Sequence, residues 1–221
     1  MNQIEKGNTM KIALIGAGNV GAALAIQLAN AGHDVVLAQS HEGSASVAKA
    51  LDRSDKLQAK PIADAVAQAD VVFLATPFGA NESILAGLKN ELPGKVLVDC
   101  TNPVGPGLSH GLKSERSGSE FVQSIVPTAK VVKAFTIYGF ENLETPQFPD
   151  YNVKPAMFFC GNDAAAKEAV GKLIADCGFE PFDVGGLAQA LHLEHMTLLW
   201  VRMVRVEKRS PHITWAALRR A

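Results

Sequence analysis

The chain has 221 residues, enough to bury a substantial core as a single α/β unit. Its 21 Lys and Arg residues nearly balance 22 Asp and Glu residues, so no global field attracts nucleic acid or an anionic membrane surface. No apolar run reaches the roughly 20 residues of a membrane span, and the polar first nine residues lack the apolar core of a signal peptide. We therefore expect a cytoplasmic protein with a small-molecule ligand, no nucleic acid partner and no membrane span.

The first motif is a glycine-rich turn between an apolar run and a helix. Residues 11–15 form a β-favourable run, and Gly16-x-Gly18-x-x-Gly21 follows it. Gly16 can take the positive φ of a sharp turn, Gly18 leaves room for a diphosphate, and Gly21 lets the helix pack close to the strand. The unpaired amides and the dipole of the helix favour an anion there. The turn therefore predicts a dinucleotide site at Gly16, Ala17, Gly18, Asn19, Val20 and Gly21.

Strands and helices alternate along the rest of the chain. The predicted strands cover residues 11–15, 34–38, 71–75, 95–99, 130–135, 156–160 and 180–184. After the first helix, which Gly32 closes, the predicted helices cover 44–54, 62–69, 81–88, 120–125 and 163–176, the last with Asp163 as N-cap and Gly178 as C-cap. Continuous apolar strands of this kind are buried on both faces. The order predicts an α/β fold of the Rossmann type, with a doubly wound, mainly parallel sheet.

The domain organisation follows from the same pattern. We expect a loose leader at residues 1–9, an NAD(P)-binding domain at 10–184, and a C-terminal helical extension at 185–221 that packs on the same domain. Within a helix at 186–208, one face collects Leu187, Leu191, His195, Leu198, Leu199 and Met203. This face predicts packing across the sheet, with a homodimer contact as the alternative. The segments 105–119 and 138–155 are long enough to act as lids or mobile connectors.

The end of the second strand bears on the choice between NAD and NADP. An acidic side chain there accepts hydrogen bonds from the ribose, whereas basic or small hydroxyl residues accommodate a 2′-phosphate. The chain reads Ala38-Gln39-Ser40-His41, with Glu42 as the nearest acid and no arginine. We therefore predict NADP, with its ribose end at Gln39, Ser40 and His41.

Residues directly after the central strands form the candidate pocket, because ligands of open α/β sheets bind beyond the carboxyl ends of the strands. These residues are small, apolar or neutral, and the Tyr-x-x-x-Lys pair of short-chain reductases is absent at both Tyr138 and Tyr151. Because reduction of a ketone ordinarily needs a proton donor, we expect a hydride to pass directly between two aligned ring cofactors. The pocket positions are Ala75, Thr76, Pro77, Asn102, Pro103, Val104, Phe135, Thr136 and Ile137, with Met196 closing the acceptor side.

No metal site is expected. His192 and His195 flank Glu194, but the spacing is not the His-Glu-x-x-His of zinc proteases. One of the histidines could close the acceptor pocket instead of Met196, and a hydrogen bond between helices is the alternative. The three cysteines, Cys100, Cys160 and Cys177, are too widely spaced for a metal site or a disulfide framework, so we expect buried thiols.

Six segments resemble the NADPH-dependent reductases of the deazaflavin coenzyme F420 and the related cytosolic oxidoreductase domain of the STEAP metalloreductases. They are GAGNVG, HDVVLAQS, GKVLVDCTNPVG, VVKAFTIYGFENL, FFCGNDAAAKEAV and DVGGLAQALHLEHMTLLWVRM. The resemblance implies NADP as cofactor and F420 or a flavin as hydride acceptor. It also implies that Thr76 and Pro77 line the nicotinamide ribose. The nicotinamide and the acceptor ring would face Asn102, Pro103, Phe135, Thr136 and Ile137.

At one position the chain departs from this family. The family places a Ser-Arg pair at the 2′-phosphate, and the matching residues here are Gln39 and Ser40, which leaves His41 as the substitute.

Two other functions stay open. The first is reduction of a small imine or hydroxyacid, as in relatives of pyrroline-carboxylate reductase. Such enzymes use a sizeable helical second domain, and only one long helix and a short tail follow Val184 here. The second is an NADP-sensing module without enzymatic activity, in which the apolar loops on the acceptor side would have no clear purpose.

Overall fold

The computed structural model describes residues 9–220. The leader predicted at residues 1–9 lies outside this range except for Thr9, which is exposed. Among the described residues, no helix combines the length and the apolar character needed to cross a membrane.

One twisted sheet organises the molecule. Its eight strands run in the order β10-β9-β8-β5-β4-β1-β2-β3, and a small antiparallel hairpin is formed by β6 and β7. Every pair in the large sheet is parallel except β8 with β9, so the predicted doubly wound, mainly parallel sheet is confirmed. The strands are β1 Lys11–Ile15, β2 Asp34–Gln39, β3 Gln58–Pro61, β4 Val71–Leu74, β5 Val96–Asp99, β6 Val104–Gly105, β7 Ser109–His110, β8 Lys130–Lys133, β9 Ala156–Gly161 and β10 Glu180–Asp183.

Helices cover both faces of this sheet. Because side chains alternate along a strand, Ile12 and Leu14 join one core cluster while Ala13 and Ile15 join the other. The helices are α1 Asn19–Asn30, α2 Ala45–Leu51, α3 Ile62–Gln68, α4 Asn81–Ala86, α5 Gly118–Ile125, α6 Phe140–Glu144, α7 Ala164–Asp176 and α8 Ala190–Val201. A π-helical turn, Arg202–Val206, extends α8, and short 3-10 turns lie at Phe78–Ala80, Pro106–Leu108 and Leu187–Gln189.

Local capping signals set several helix ends. The Asp163 carboxylate accepts the amide of Ala166 at 2.8 Å, as predicted for the N-cap of α7, and the same amide holds the pKa of Asp163 below its usual value. Gly178 follows the C-cap residue, Cys177, with φ of 90°, and Gly32 follows α1 with φ of 98°. Both glycines thus take the left-handed conformation that commonly ends a helix.

Several elements differ from the sequence-based prediction, among them the three that follow. The edge strand β3 was missed, because QAKP lacks an apolar run and ends in proline. The strand predicted at 130–135 ends at Lys133, since Phe135 adopts a left-handed backbone with φ of 56°. The segment 138–155, predicted as irregular, contains α6.

The predicted apolar face of the last helix is correct only in part, because Leu187 and Leu198 are buried but His195 and Leu199 are not. In α8 the buried face consists of Ala190, Leu193, Glu194, Thr197, Leu198 and Trp200. His195 is exposed and Leu199 is 50% exposed. The helix packs against α5 and β9, and the Trp215 carbonyl of the following tail accepts the Ala156 amide of β9. A buried carboxylate, Glu194, therefore lies on the inner face of α8.

Candidate active site

The three glycines of the turn after β1 have different surroundings. Gly16 has φ of 96°, and a Cβ there would lie 2.7 Å from the Ala75 carbonyl oxygen. A Cβ at Gly21 would lie 1.8 Å from the Gly16 carbonyl oxygen, so α1 rests directly on the turn. A Cβ at Gly18 would meet nothing within 4 Å. The backbone at Gly18 is thus open to a ligand, while Gly16 and Gly21 are required by packing.

The end of β2 lies beside this turn. Ile15 and Ala38 are register partners, so the chain after Gln39 leaves the sheet next to the start of the glycine turn. Ser40 and His41 are exposed, and His41 Nδ1 lies 3.1 Å from the Glu42 carbonyl oxygen. The predicted ribose-end residues are therefore brought to the same edge of the sheet as the glycine turn.

Strands β1, β4, β5 and β8 are adjacent and parallel, so the predicted pocket residues after β4, β5 and β8 meet at this edge too. Within it, the Thr76 hydroxyl donates to Asn81 Oδ1 at 2.7 Å, and Asn81 Nδ2 donates to the Thr101 hydroxyl at 2.9 Å. Two further buried oxygens, Asn102 Oδ1 and Thr136 Oγ1, have no hydrogen-bond partner within residues 9–220. Buried polar atoms are rarely left unpaired, so both oxygens are open to a further partner, such as a water molecule or a ligand.

The other predicted pocket residues differ in how much surface they offer. Phe135 and Ile137 are at most 1% exposed and belong to the core, where Phe135 packs on Phe73 with ring centroids 5.7 Å apart. Val104 is 46% exposed. Met196 is half-buried against the core. The side chains of Phe135 and Ile137 therefore belong to the core and offer almost no surface to a ligand.

A buried cluster of charged residues adjoins these loops, and sequence reasoning missed it. It comprises Asp99, His110, Lys133 and Glu194, here called the ion cluster, and every side chain in it is at most 3% exposed. The Lys133 ammonium lies 3.3 Å from Asp99 Oδ2 and 3.0 Å from Glu194 Oε1, and it donates to the Thr101 carbonyl. Burial alone would lower the pKa of Lys133, but the carboxylates of Asp99 and Glu194 raise it above the usual value.

Glu194 also ties α8 to the segment between β7 and α5. Its carboxylate accepts the Gly118 amide at 2.9 Å and the His110 Nε2 proton at 2.8 Å. His110 Nδ1 faces the amides of Leu112 and Ser114, at 3.3 and 3.2 Å. An acceptor role for Nδ1 leaves the proton on Nε2, so the ring is neutral.

The sequence contained a signal for this cluster. Asp99 and Lys133 are the charged last residues of β5 and β8, whose other residues are almost all apolar and which lie in the middle of the sheet. A charge that ends a strand buried on both faces needs a partner of opposite sign. Glu194 and His110 are distant in sequence, 84 residues apart, and no local pattern links them.

The remaining candidates are the two histidines of α8 and the three cysteines, and the His195 ring lies 5.4 Å from that of His110. Glu194 points into the core, whereas His192 and His195 are exposed, and His195 Nε2 lies 3.1 Å from Ser114 Oγ. All three cysteines are buried and free, in agreement with the prediction of buried thiols. Burial raises the pKa of Cys160 and of Cys177 to about 12.

A mainly parallel sheet with an open glycine turn after its first strand is the architecture of dinucleotide-binding proteins of the Rossmann class. Comparison with known proteins narrows this class. The family described as "NADP oxidoreductase coenzyme F420-dependent" matches residues 11–103. The F420-dependent NADP reductase of Methanocaldococcus jannaschii is 31% identical over 208 residues, covering 87% of this chain and 91% of the relative. The chain therefore belongs to the family of F420-dependent NADP reductases.

Two further similarities agree with this membership. A solved structure from Arthrobacter sp. FB24, assigned to the F420-dependent NADP reductases, has a TM-score of 0.85 and 28% identity, covering 95% of this chain and 100% of that chain. The metalloreductase STEAP3 of Rattus norvegicus is 30% identical over 190 residues, covering 85% of this chain. The chain spans 36% of the length of that relative.

Proposed function

We propose that this protein transfers a hydride between NADP(H) and the ring of a deazaflavin such as F420, or of a flavin. The observation that carries the proposal is the pair of buried, unpartnered oxygens, Asn102 Oδ1 and Thr136 Oγ1, beyond β5 and β8. They lie at the sheet edge that also holds the open backbone of Gly18. The carboxamide of a nicotinamide supplies N–H donors that such acceptors can bind.

Separate groups of residues suit the diphosphate and the nicotinamide ribose of the cofactor. We assign the diphosphate to the amides of residues 16–21, where α1 has no acidic residue in its first turn to repel an anion. We assign the nicotinamide ribose to Ala75, Thr76 and Pro77. NADPH would supply the hydride, and the protein would hold donor and acceptor rings in contact, which is where catalysis of this kind arises.

The choice of a ring acceptor rests on the kind of side chain in the pocket. None of the residues Asn102, Pro103, Val104, Phe135, Thr136, Ile137 and Met196 is an acid or a base. The nearby acids Asp99 and Glu194 are buried and bound to Lys133. A carbonyl substrate would need a proton donor in reach, whereas a deazaflavin or flavin can take a hydride directly. The M. jannaschii relative is named for F420 and NADP, which agrees with this choice.

Rapid mixing of the protein and NADPH with F420, FMN or FAD under anaerobic conditions tests the proposal. We expect nicotinamide absorbance near 340 nm to fall with at least one of the three acceptors, at a rate that saturates with acceptor concentration. If none of the three oxidises NADPH in the presence of the protein, the proposal is wrong.

We further propose that NADP is preferred over NAD through Gln39, Ser40 and His41. His41 is the basic residue in this group, and its exposed ring can reach a phosphate in solvent. The variant His41→Ala should narrow the preference for NADPH over NADH several-fold, while His212→Ala, which removes an exposed histidine from the C-terminal tail, should leave it unchanged. An unchanged preference for NADPH over NADH in His41→Ala would show that His41 does not contact the 2′-phosphate. A homodimer and a cytoplasmic location remain predictions.

A further inference from the structure

The charge of the ion cluster follows from its hydrogen bonds. Asp99 Oδ1 accepts the amide and the hydroxyl of Thr101, and Asp99 Oδ2 accepts the Ser119 hydroxyl and faces Lys133. Both oxygens of Glu194 likewise face donors, from Lys133, Gly118 and His110. The ammonium, the amide and the imidazole N–H that face Glu194 can only donate, and so can the Lys133 ammonium and the Thr101 amide that face Asp99. These contacts favour the charged form of both carboxylates.

The ion cluster therefore carries one net negative charge. Asp99 and Glu194 each carry one negative charge, Lys133 carries one positive charge, and His110 is neutral because its Nδ1 faces two backbone amides. The sum is one net negative charge in a region where the side chains are at most 3% exposed. A charge so far from water is weakly screened and acts on neighbouring groups.

This charge lies directly behind the predicted pocket. Lys133 donates to the Thr101 carbonyl, and Thr101 precedes Asn102. A Cβ placed on Gly118 would lie 3.1 Å from Glu194 Oε1, 3.1 Å from Pro103 Cδ and 2.9 Å from the ring of Phe78. Glu194 and the pocket residue Pro103 are thus separated by little more than one glycine.

A chain of hydrogen bonds connects Asp99 to Thr76 at the edge of the pocket. The Thr101 hydroxyl donates to Asp99, Asn81 donates to the Thr101 oxygen, and the Thr76 hydroxyl donates to Asn81. Each donor points toward Asp99, so the Thr76 oxygen keeps its lone pairs for a ligand. The edge of the pocket nearest Thr76 therefore presents acceptors and negative potential.

We propose that the ion cluster makes the pocket bind the oxidised nicotinamide more tightly than the reduced one, and so stabilises the positive charge that develops as the hydride leaves. This inference rests on the proposed function. In the reaction, the C4–H bond of the reduced nicotinamide breaks and its two electrons leave with the hydrogen to form a C–H bond on a deazaflavin or an N–H bond on a flavin. The nicotinamide ring gains one positive charge, and the reduced acceptor takes a proton from solvent. Asp99, Lys133 and Glu194 act through the field they create and touch no reacting atom.

Calorimetric dissociation constants of NADP+ and NADPH, measured for the whole protein and its variants, test this inference without turnover. Asp99→Asn and Glu194→Gln each bring the cluster to zero net charge while keeping the shape of the side chain. Asp70→Asn removes the same charge at the opposite end of the sheet, where Asp70 accepts the Lys11 amide before β4.

We expect the ratio of the NADP+ to the NADPH dissociation constant to rise about tenfold in Asp99→Asn and in Glu194→Gln. A tenfold change equals about 30 mV in the two-electron potential of the bound nucleotide. The ratio should stay within about twofold of the wild-type value in Asp70→Asn.

The other outcomes separate the possible failures. If the cluster only supports the fold, both dissociation constants rise together and the ratio stays at the wild-type value, which overturns the inference while leaving nucleotide binding intact. Because the two variants change different elements, β5 and α8, either one that folds, as judged by circular dichroism, gives the answer. If the wild-type protein binds neither nucleotide, the proposed function and this inference fail together.

Discussion

The glycine turn and the ion cluster lie at the same edge of the sheet and are built in opposite ways. The turn consists of six consecutive residues, 16–21, and offers mainly backbone to a ligand. The ion cluster joins side chains from β5, β7, β8 and α8 and is sealed from solvent. The turn therefore depends on the volume at single positions, whereas the cluster depends on a balance of charge among distant residues.

The largest effect should come from removing the one cation of the cluster. Lys133→Met leaves the buried carboxylates of Asp99 and Glu194 facing each other without a counterion. Breaking a buried ion pair from one side costs about 3 to 5 kcal/mol, and we expect the free energy of unfolding in urea to fall by this amount. Lys172→Met, at an exposed pair with Glu168, should leave stability essentially unchanged. A small loss in Lys133→Met would mean that one carboxylate picks up a proton at little cost.

The stability difference between the wild-type protein and Lys133→Met should also depend on pH. The folded-state pKa of Lys133 is raised, so its contribution is fully present below the unfolded-state pKa of about 10.4 and is lost as pH rises through the higher folded value. The difference in unfolding free energy between wild type and Lys133→Met should be constant from about pH 7 to 9 and shrink above about pH 11. A difference that shrinks below about pH 9 would contradict the raised pKa.

Within the turn, two glycine-to-alanine variants should separate packing from ligand binding. In Gly21→Ala the added Cβ would lie 1.8 Å from a backbone oxygen of Gly16, so we expect a loss of about 3 kcal/mol in the free energy of unfolding, at the upper end for overpacking. In Gly18→Ala the Cβ meets nothing within 4 Å, so stability should be retained. The same Cβ would occupy the proposed diphosphate site and raise the dissociation constant of NADPH about tenfold or more. Tight NADPH binding by Gly18→Ala would place the diphosphate elsewhere.

The same contrast explains what the sequence could predict. The turn and the alternation of apolar strands with helices are local patterns, and they predicted the class of fold. The inner face of α8 is not a local pattern, because Glu194 on that face pairs with Lys133 of β8. A prediction based on apolar residues alone placed Leu199 on the buried face of the helix. In the structure the helix is rotated so that Glu194 reaches Lys133, and Leu199 is half exposed. Of the pocket, the sequence predicted the loops after the strands but not the charges behind them.

The smallest expected loss of stability comes from the N-cap of α5, the helix that contacts the ion cluster. Ser117 is fully buried and caps α5, with its hydroxyl accepting the Glu120 amide at 3.1 Å while the Glu120 carboxylate accepts the Ser117 amide at 2.9 Å. Ser117→Ala should lower the free energy of unfolding by about 1 kcal/mol, whereas Ser124→Ala, in the same helix with its hydroxyl near solvent, should change it far less. Chemical denaturation of both variants measures the difference.

Because α5 begins at Gly118 and also carries Ser119, the Ser117 cap holds two donors of the cluster in place. If the cap and the cluster are independent, the losses in Ser117→Ala and Glu194→Gln should add within about 0.5 kcal/mol in the double variant. Since Gly118 follows the cap directly and donates to Glu194, we expect instead a double-variant loss smaller than the sum. Strict additivity would show that the cluster holds its geometry without the helix start, and that its long-range contacts alone determine the shape of this side of the pocket.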